Sequence, residues 1–441
     1  MALEDSFKWK GYFFLPNKPE SELPGILSFE LSKGIELELF GNFIDYQNPS
    51  SKERNIILGF SSNGKKVTLL NCFEYSRSMS LPGIPESVFS AIFLFVGEHF
   101  YSLEDICFDS CSLAYKDLNY WLNVSGFEKT QWDEECKAVT IKYKQPDRIP
   151  FDISEQINGE IEFGFNRPFE LFKPLVKASI EQLPRIMLNG VGAIHFDSYW
   201  HTIQTISSFL AINYYGYPVI QSFEFYINRE KLDEYDNEIS KVELYFDIKS
   251  TPKKYRDHTH ATRFLIEYAD YGGCFSRFFL RWYQLQNEIE ASIKTLTECL
   301  MERGNPIEMH FISLVQAIEN LHRKTTKNKV SLLVRLTTLL SNLPKGVVHL
   351  ILKNEIDFEE RIKDNRNFYT HHSSDKKKFK PASLSELFTL SEKLKIILML
   401  AILKELGFTD QKITELISRK GVYLFNHIVG LNIDQNISRS S

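Results

Sequence analysis

The period of apolar and polar positions changes once along the chain. Gly25–Leu31 alternates apolar with polar residues, and Gly34–Phe40 does so strictly, as half-buried strands do. Asn63-Gly64, set between two apolar runs, predicts a tight hairpin because both residues tolerate positive φ. Ala91–Val96, Ala138–Tyr143, Glu160–Phe165, Gln221–Ile227 and Lys241–Ile248 read as further strands. Short strands at this spacing predict a sandwich or barrel-like sheet. One helical interruption is expected over Trp200–Ala211.

After Tyr271-Gly272-Gly273 the period becomes helical. Phe278, Trp282, Leu285, Ile289, Ile293, Leu296 and Leu300 recur at helical steps and predict one long helix, closed by Arg303-Gly304. Asn305-Pro306 opens the next, with Glu308 in its first turn. A third helix, over Lys329–Leu343, stops before Pro344, and a fourth runs from about Val347 towards Tyr369. Ser383 and Glu386 have the spacing of a capping box, opening a fifth helix that ends at Gly407. Thr409 or Asp410 caps a last one. The fold class is α+β: a β-rich, sandwich-like region over residues 1–270, then an all-α bundle over 271–441.

Composition refines this picture. A chain of 441 residues exceeds one ordinary core, and 35 Phe with 20 Tyr allow large aromatic interiors. The net charge of -5 argues against a protein that coats nucleic acid, so any such contact must be local. The N-terminal MALEDSFKWK has no signal-peptide core. Ile396–Leu403, the longest apolar run, falls far short of the ~20 residues of a membrane span and reads as a buried helix. A cytoplasmic protein without membrane contact is expected. Cys72, Cys107, Cys111, Cys136, Cys274 and Cys299 show no zinc spacing and read as reduced packing residues. No metal or cofactor is expected.

The chemistry concentrates in Asp364-Asn365-Arg366-Asn367-Phe368-Tyr369-Thr370-His371-His372. Arginine presents a permanently charged fork that matches two phosphate oxygens. Histidine titrates near neutrality and can take or give a proton. RNA brings its own nucleophile, the 2′-hydroxyl, so a base, an acid and a cation suffice for cleavage. Taken alone, these residues also suit a blander arrangement: Arg366 paired with Asp364 or Glu360 at the surface, and both histidines solvated. Arg303 and His310 have a similar spacing, but the helix break Gly304-Asn305-Pro306 separates them.

Arg366-Asn367-Phe368-Tyr369-Thr370-His371 resembles the defining motif of HEPN domains: Arg, a polar residue that is often Asn, and His four to six residues after the Arg. Ala317-Ile318-Glu319-Asn320-Leu321-His322-Arg323 resembles a helix of the ApeA-like HEPN group. In the first half, Gly11–Pro16, Pro24–Phe29, Leu37–Gly41, Ile57–Phe60, Gly64–Leu69, Pro82–Ile84 and Val96–Phe100 follow in order the pattern of the ApeA N-terminal domain. Tyr12 and Phe13 stand where that pattern has mostly Trp. The resemblance covers nearly the whole chain.

It implies a bacterial anti-phage protein acting by abortive infection, with a β-rich sensor and a metal-independent endoribonuclease. Arg366 would stabilise the scissile phosphate, His371 would be acid or base, and Asn367 would orient either. His372 also fits the spacing and is accessory, as is Glu319. The expected partners are RNA (tRNA among the candidates), a second copy of the helical domain, and a phage protein as trigger. The rival reading is a non-catalytic HEPN dimeriser or sensor whose β region binds a protein or carbohydrate.

Weaker features carry two readings each. Lys376, Lys377, Lys378 and Lys380 form an RNA cradle or a solvated loop. Glu319 and His322 support the site or pair with each other on the helix surface. His99 reads as a packed or hydrogen-bonded structural residue. Tyr214-Tyr215-Gly216-Tyr217 reads as core before stacking surface.

Overall fold

The computed structural model describes residues 6–43, 53–78, 82–132, 137, 139–166, 179–229, 238–246, 264–301, 306–325, 330–353, 355–371 and 379–421. The chain divides into two compact units. One comprises Met1–Asn119, Val124–Ile203 and Val219–Thr251; the other comprises Tyr120–Asn123, Gln204–Pro218 and Pro252–Ser441.

The first unit is built on one antiparallel sheet. Strands β1 (Phe7–Leu15), β2 (Lys18–Glu30), β3 (Gly34–Leu39), β4 (Glu53–Ser61), β5 (Lys66–Ser78) and β6 (Glu86–Val96) run in the order β6-β3-β2-β1-β4-β5, and β5 returns to pair with β6. These strands therefore close into a barrel. There follow β7 (Cys107–Tyr115), the short helix α1 (Leu118–Leu122), β8 (Gln131–Trp132), β9 (Val139–Thr140), β10 (Ile149–Asp152), β11 (Ile157–Asn166), β12 (Glu181–His195), α2 (Phe196–Tyr214), β13 (Ile220–Arg229) and β14 (Glu238–Phe246). The second edge of β6 is shared: Ser87–Ala91 pair with β3, whereas Phe93–Val96 pair with β14. From β14 the sheet extends through β13, β7, β12, β11 and β10.

Strand alternation fills the barrel. Phe13, Leu27, Phe29, Leu37, Ile57 and Leu69 point inward and are buried. Gly11 lies against the Phe60 carbonyl, and Gly59 lies under the Phe13 ring, so neither position has room for a side chain. The Asn63-Gly64 hairpin forms between β4 and β5: the Gly64 N–H donates to the Ser61 carbonyl, and Gly64 alone of the two takes positive φ, 78°. Beyond the barrel, Phe196, at the start of α2, packs edge-on against Phe93 and Phe95. The strand expected over Ala138–Tyr143 shrinks to β9 and one bridge, Phe127–Tyr143; Ala138 lies outside the described residues, and Val139 is exposed, so its alternation faces no core.

The second unit is helical: α3 (Phe275–Glu288), α4 (Glu290–Leu300), α5 (Ile307–Thr325), α6 (Leu332–Ser341), α7 (Lys345–Leu352), α8 (Phe358–His371), α9 (Leu384–Leu406) and α10 (Asp410–Leu416). The end of α2 belongs here too. Phe209 sits among Tyr271, Phe275, Phe279 and Trp282, and the Trp282 indole donates to the Thr205 carbonyl at 3.1 Å. Tyr214 and Tyr215 are buried, as the core reading expects, whereas Tyr217 is half-buried.

The expected helix through Phe278–Leu300 is two helices, parted at Ile289 (φ -139°, ψ 37°). Ile289 is itself buried, so one non-helical residue leaves the apolar stripe in phase. The expected fourth helix is also two, parted by a polar turn in which Asp357 adopts φ 53°. Three further caps form as read: Ser383 and Glu386 make the capping box, Gly407 is left-handed, and Thr409 caps α10; the expected cap Asn305 lies outside the described residues. Ile396–Leu403 lies within α9, where every residue from Leu390 to Leu403 is buried. The buried charges there are paired, Lys395 with Glu392 at 2.7 Å and Lys393 with Glu355 at 2.9 Å. Among the described residues, no helix is long and apolar enough to cross a membrane. Of the cysteines, Cys72, Cys111 and Cys299 are buried and free; Cys136 lies outside the described residues.

Candidate active site

Helix α8 exposes one side and buries the other. Phe358, Ile362 and Asn365 follow the i, i+4, i+7 stripe and are buried at 2% exposure or less. Arg366 and Asn367 come next on the polar side and are partly exposed. His371 is the last residue of α8, ~7.5 Å of helical rise beyond Arg366. Its side chain lies outside the described residues, as do His372, Lys376, Lys377 and Lys378 in full. Lys380 is exposed on the approach to α9.

Arg366 does not pair with Asp364 or Glu360. Both of those carboxylates contact Lys363. The Arg366 guanidinium instead reaches α5, where a Glu319 oxygen lies 3.7 Å from Nη2. Its Nη1 donates to the Asn367 side-chain oxygen at 3.2 Å. The fork is thus steered from two sides while the arginine side chain stays 28% exposed, open to an incoming anion.

The expected surface pair of Glu319 and His322 is replaced by two separate engagements. Glu319 turns to Arg366, whereas His322 turns inward to α6. There the buried Arg335 donates to the Glu319 and Val330 carbonyls, at 3.3 and 3.2 Å, and lies 3.4 Å from His322 Nδ1. Burial, and then the Arg335 cation, push the His322 pKa down, so the imidazole is held neutral. Arg335 therefore clamps the segment of α5 that presents Glu319.

Asn365 was not singled out from the sequence. Its amide donates to the Arg361 carbonyl at 2.8 Å, and its oxygen accepts from the Ala382 N–H at 2.8 Å. This fixes the entry to α9 against α8, immediately beside Arg366. A signal was available: an asparagine on an otherwise apolar stripe must satisfy its polar atoms inside the fold. His99, by contrast, is the expected structural residue, with Nε2 2.8 Å from the Gly59 carbonyl and its ring against Phe14 and Phe60. His310 is held neutral chiefly by burial, and Arg303 lies outside the described residues. No group of three or more His, Cys, Asp or Glu is placed to hold a metal among the described residues.

Two family models match the chain. ApeA N-terminal domain 1 matches residues 8–282, and Apea-like HEPN matches residues 312–412. The chain belongs to the ApeA-like family and carries a C-terminal HEPN domain. The HEPN match spans Glu319, His322, Arg335, Asn365, Arg366 and His371, so the α5–α6–α8 cluster lies within the HEPN domain of this chain. The other match takes in the barrel and its extension and runs into α3. No curated protein and no solved structure matches the chain.

Proposed function

We propose that the chain is a metal-independent endoribonuclease of anti-phage defence, cutting cellular RNA to abort infection. The observation that carries this reading is the pose of Arg366: a partly open guanidinium on α8 of an ApeA-like HEPN domain, steered by Glu319 and Asn367. Arg366 binds the scissile phosphate and stabilises the charge that builds on its oxygens. His371 serves as acid or base, with His372 accessory. The substrate's 2′-hydroxyl attacks the adjacent phosphorus and the 5′-oxygen leaves, giving a 2′,3′-cyclic phosphate and a 5′-hydroxyl. Because the nucleophile is the substrate's own and the charge is met by arginine, no metal enters the scheme.

One Arg-His motif supplies one histidine, whereas cleavage uses both a base and an acid. A homodimer through the HEPN domain brings two motifs to one site, and a two-fold contact is the commonest oligomeric form. The β-rich region is the sensor that holds the nuclease silent until a phage protein engages it.

The deciding experiment is an RNA degradation assay in excess chelator with the product ends identified. Cleavage should persist, yield cyclic phosphates and 5′-hydroxyls, and spare DNA. Arg366→Lys should be badly impaired, because it keeps the charge but loses the fork. His371→Ala should lose ~100- to 10,000-fold with the fold intact. Chelator-sensitive cutting that leaves 5′-phosphates, or a fully active His371→Ala/His372→Ala protein, would overturn the proposal.

A further inference from the structure

We propose that the outer face of α7 is a second RNA-binding site, which grips the phosphate backbone of a single strand away from the bond that is cut. The inference deepens the ribonuclease reading and rests on it.

Lys345, His349 and Lys353 recur every fourth residue, which places them on one stripe running along α7 and past its end. All three are exposed. Four residues of helix rise ~6 Å, close to the step between successive phosphates of an extended strand. The stripe borders an open cleft of about 480 Å³, large enough for a nucleotide, whose apolar lining comes from Leu340, Val348 and Leu352. Aliphatic side chains there suit the faces of sugar and base, and the two lysines suit the phosphates.

The charge balance leaves this face open, as it leaves the exposed Arg277 and Lys294 of the same unit, among the described residues. Lys324, Lys363, Lys404 and Lys412 of the same unit each sit on a carboxylate. Among the described residues, no ion pair engages Lys345, His349 or Lys353. The one carboxylate in the cleft, Glu355, is already met by two cations, Arg361 at 2.5 Å and Lys393 at 2.9 Å, so it does not oppose an incoming phosphate. In a chain of net charge -5, a stripe whose two lysines meet no carboxylate among the described residues fits a polyanion.

The test uses the full chain carrying His371→Ala, so that binding is read without turnover, and a labelled single-stranded RNA followed by fluorescence anisotropy across a salt series. Adding Lys345→Gln and Lys353→Gln should weaken binding roughly tenfold. The dependence of log affinity on log salt should become shallower by about 1.4, two phosphate contacts at about 0.7 each. Arg277→Gln with Lys294→Gln, which removes two exposed cations from α3 and α4, should change neither quantity. Unchanged binding in the α7 variant, an equal loss in the control pair, or a change in oligomeric state without a change in salt dependence would overturn the proposal. Cleavage by the unmutated chain is scored separately. RNA cutting with α7-independent binding would refute this site and leave the nuclease standing, and α7-dependent binding without cutting would do the reverse.

Discussion

The Glu319 carboxylate lies 3.7 Å from the Arg366 guanidinium, joining α5 to α8 at the one place where the motif arginine leaves its own helix. The two residues are far apart in sequence, and each has a nearer charge of opposite sign that it does not use. Arg335, bound to the Glu319 carbonyl from below, keeps this stretch of α5 in place.

Glu319→Gln should lower the cleavage rate roughly tenfold, equivalent to about 1.4 kcal/mol of a charge-assisted contact, and leave RNA affinity little changed. Single-turnover kinetics with matched thermal melts would check this. A faster enzyme would mean that Glu319 restrains Arg366 and does not position it.

Asn365→Ala should cost about 1–3 kcal/mol, because the part-buried Ala382 N–H loses its acceptor. Activity should fall as well, since the tie between α8 and the entry to α9 lies next to Arg366. Chemical denaturation gives the first quantity and the RNA assay the second. A destabilised protein of full activity would separate the tie from the site.

Acidification should weaken the helical unit through His322. Burial and Arg335 hold its folded-state pKa below the ordinary value, so the unfolded chain takes up the proton more readily. The stability is complete above the unfolded pKa of about 6.5 and is lost as pH falls from there through the lowered folded value. Melting at about pH 7.5 and about pH 5.5, on either side of that value, should show a larger drop for the wild type than for His322→Gln. Equal drops would remove His322 from the account.

Gly11→Ala should destabilise the barrel by about 1–3 kcal/mol, because the new Cβ would run into the Phe60 carbonyl oxygen of the paired strand. Gly64→Ala would meet no atom, and its cost should come only from positive φ. Denaturation midpoints of the two variants would distinguish the clash from the backbone strain.

Local chemistry wrote much of this fold into the chain. Strict alternation made Leu37 and Leu39 inward positions of a strand, and Ser383, Gly407 and Thr409 set helix ends through side-chain and backbone preferences that need no distant partner. The Arg366-to-His371 spacing and the likeness to ApeA-like HEPN sequences were likewise legible, and the family matches agree with the likeness. Features that depend on a single residue's backbone angle escaped the pattern, as at Ile289, because a periodic stripe survives one non-helical residue. Above all, partner choice was beyond reach. Sequence neighbours offered Arg366 the carboxylates of Asp364 and Glu360, but Lys363 holds both, and the packing of α5 on α8 brings Glu319 to the arginine. The same packing gives His322 to Arg335, and the approach of α9 gives Asn365 to Ala382. The sequence determined which side chains could do the chemistry; only the meeting of α5, α6, α8 and α9 decided which of them hold one another in place, because those contacts join residues that nothing local brings together.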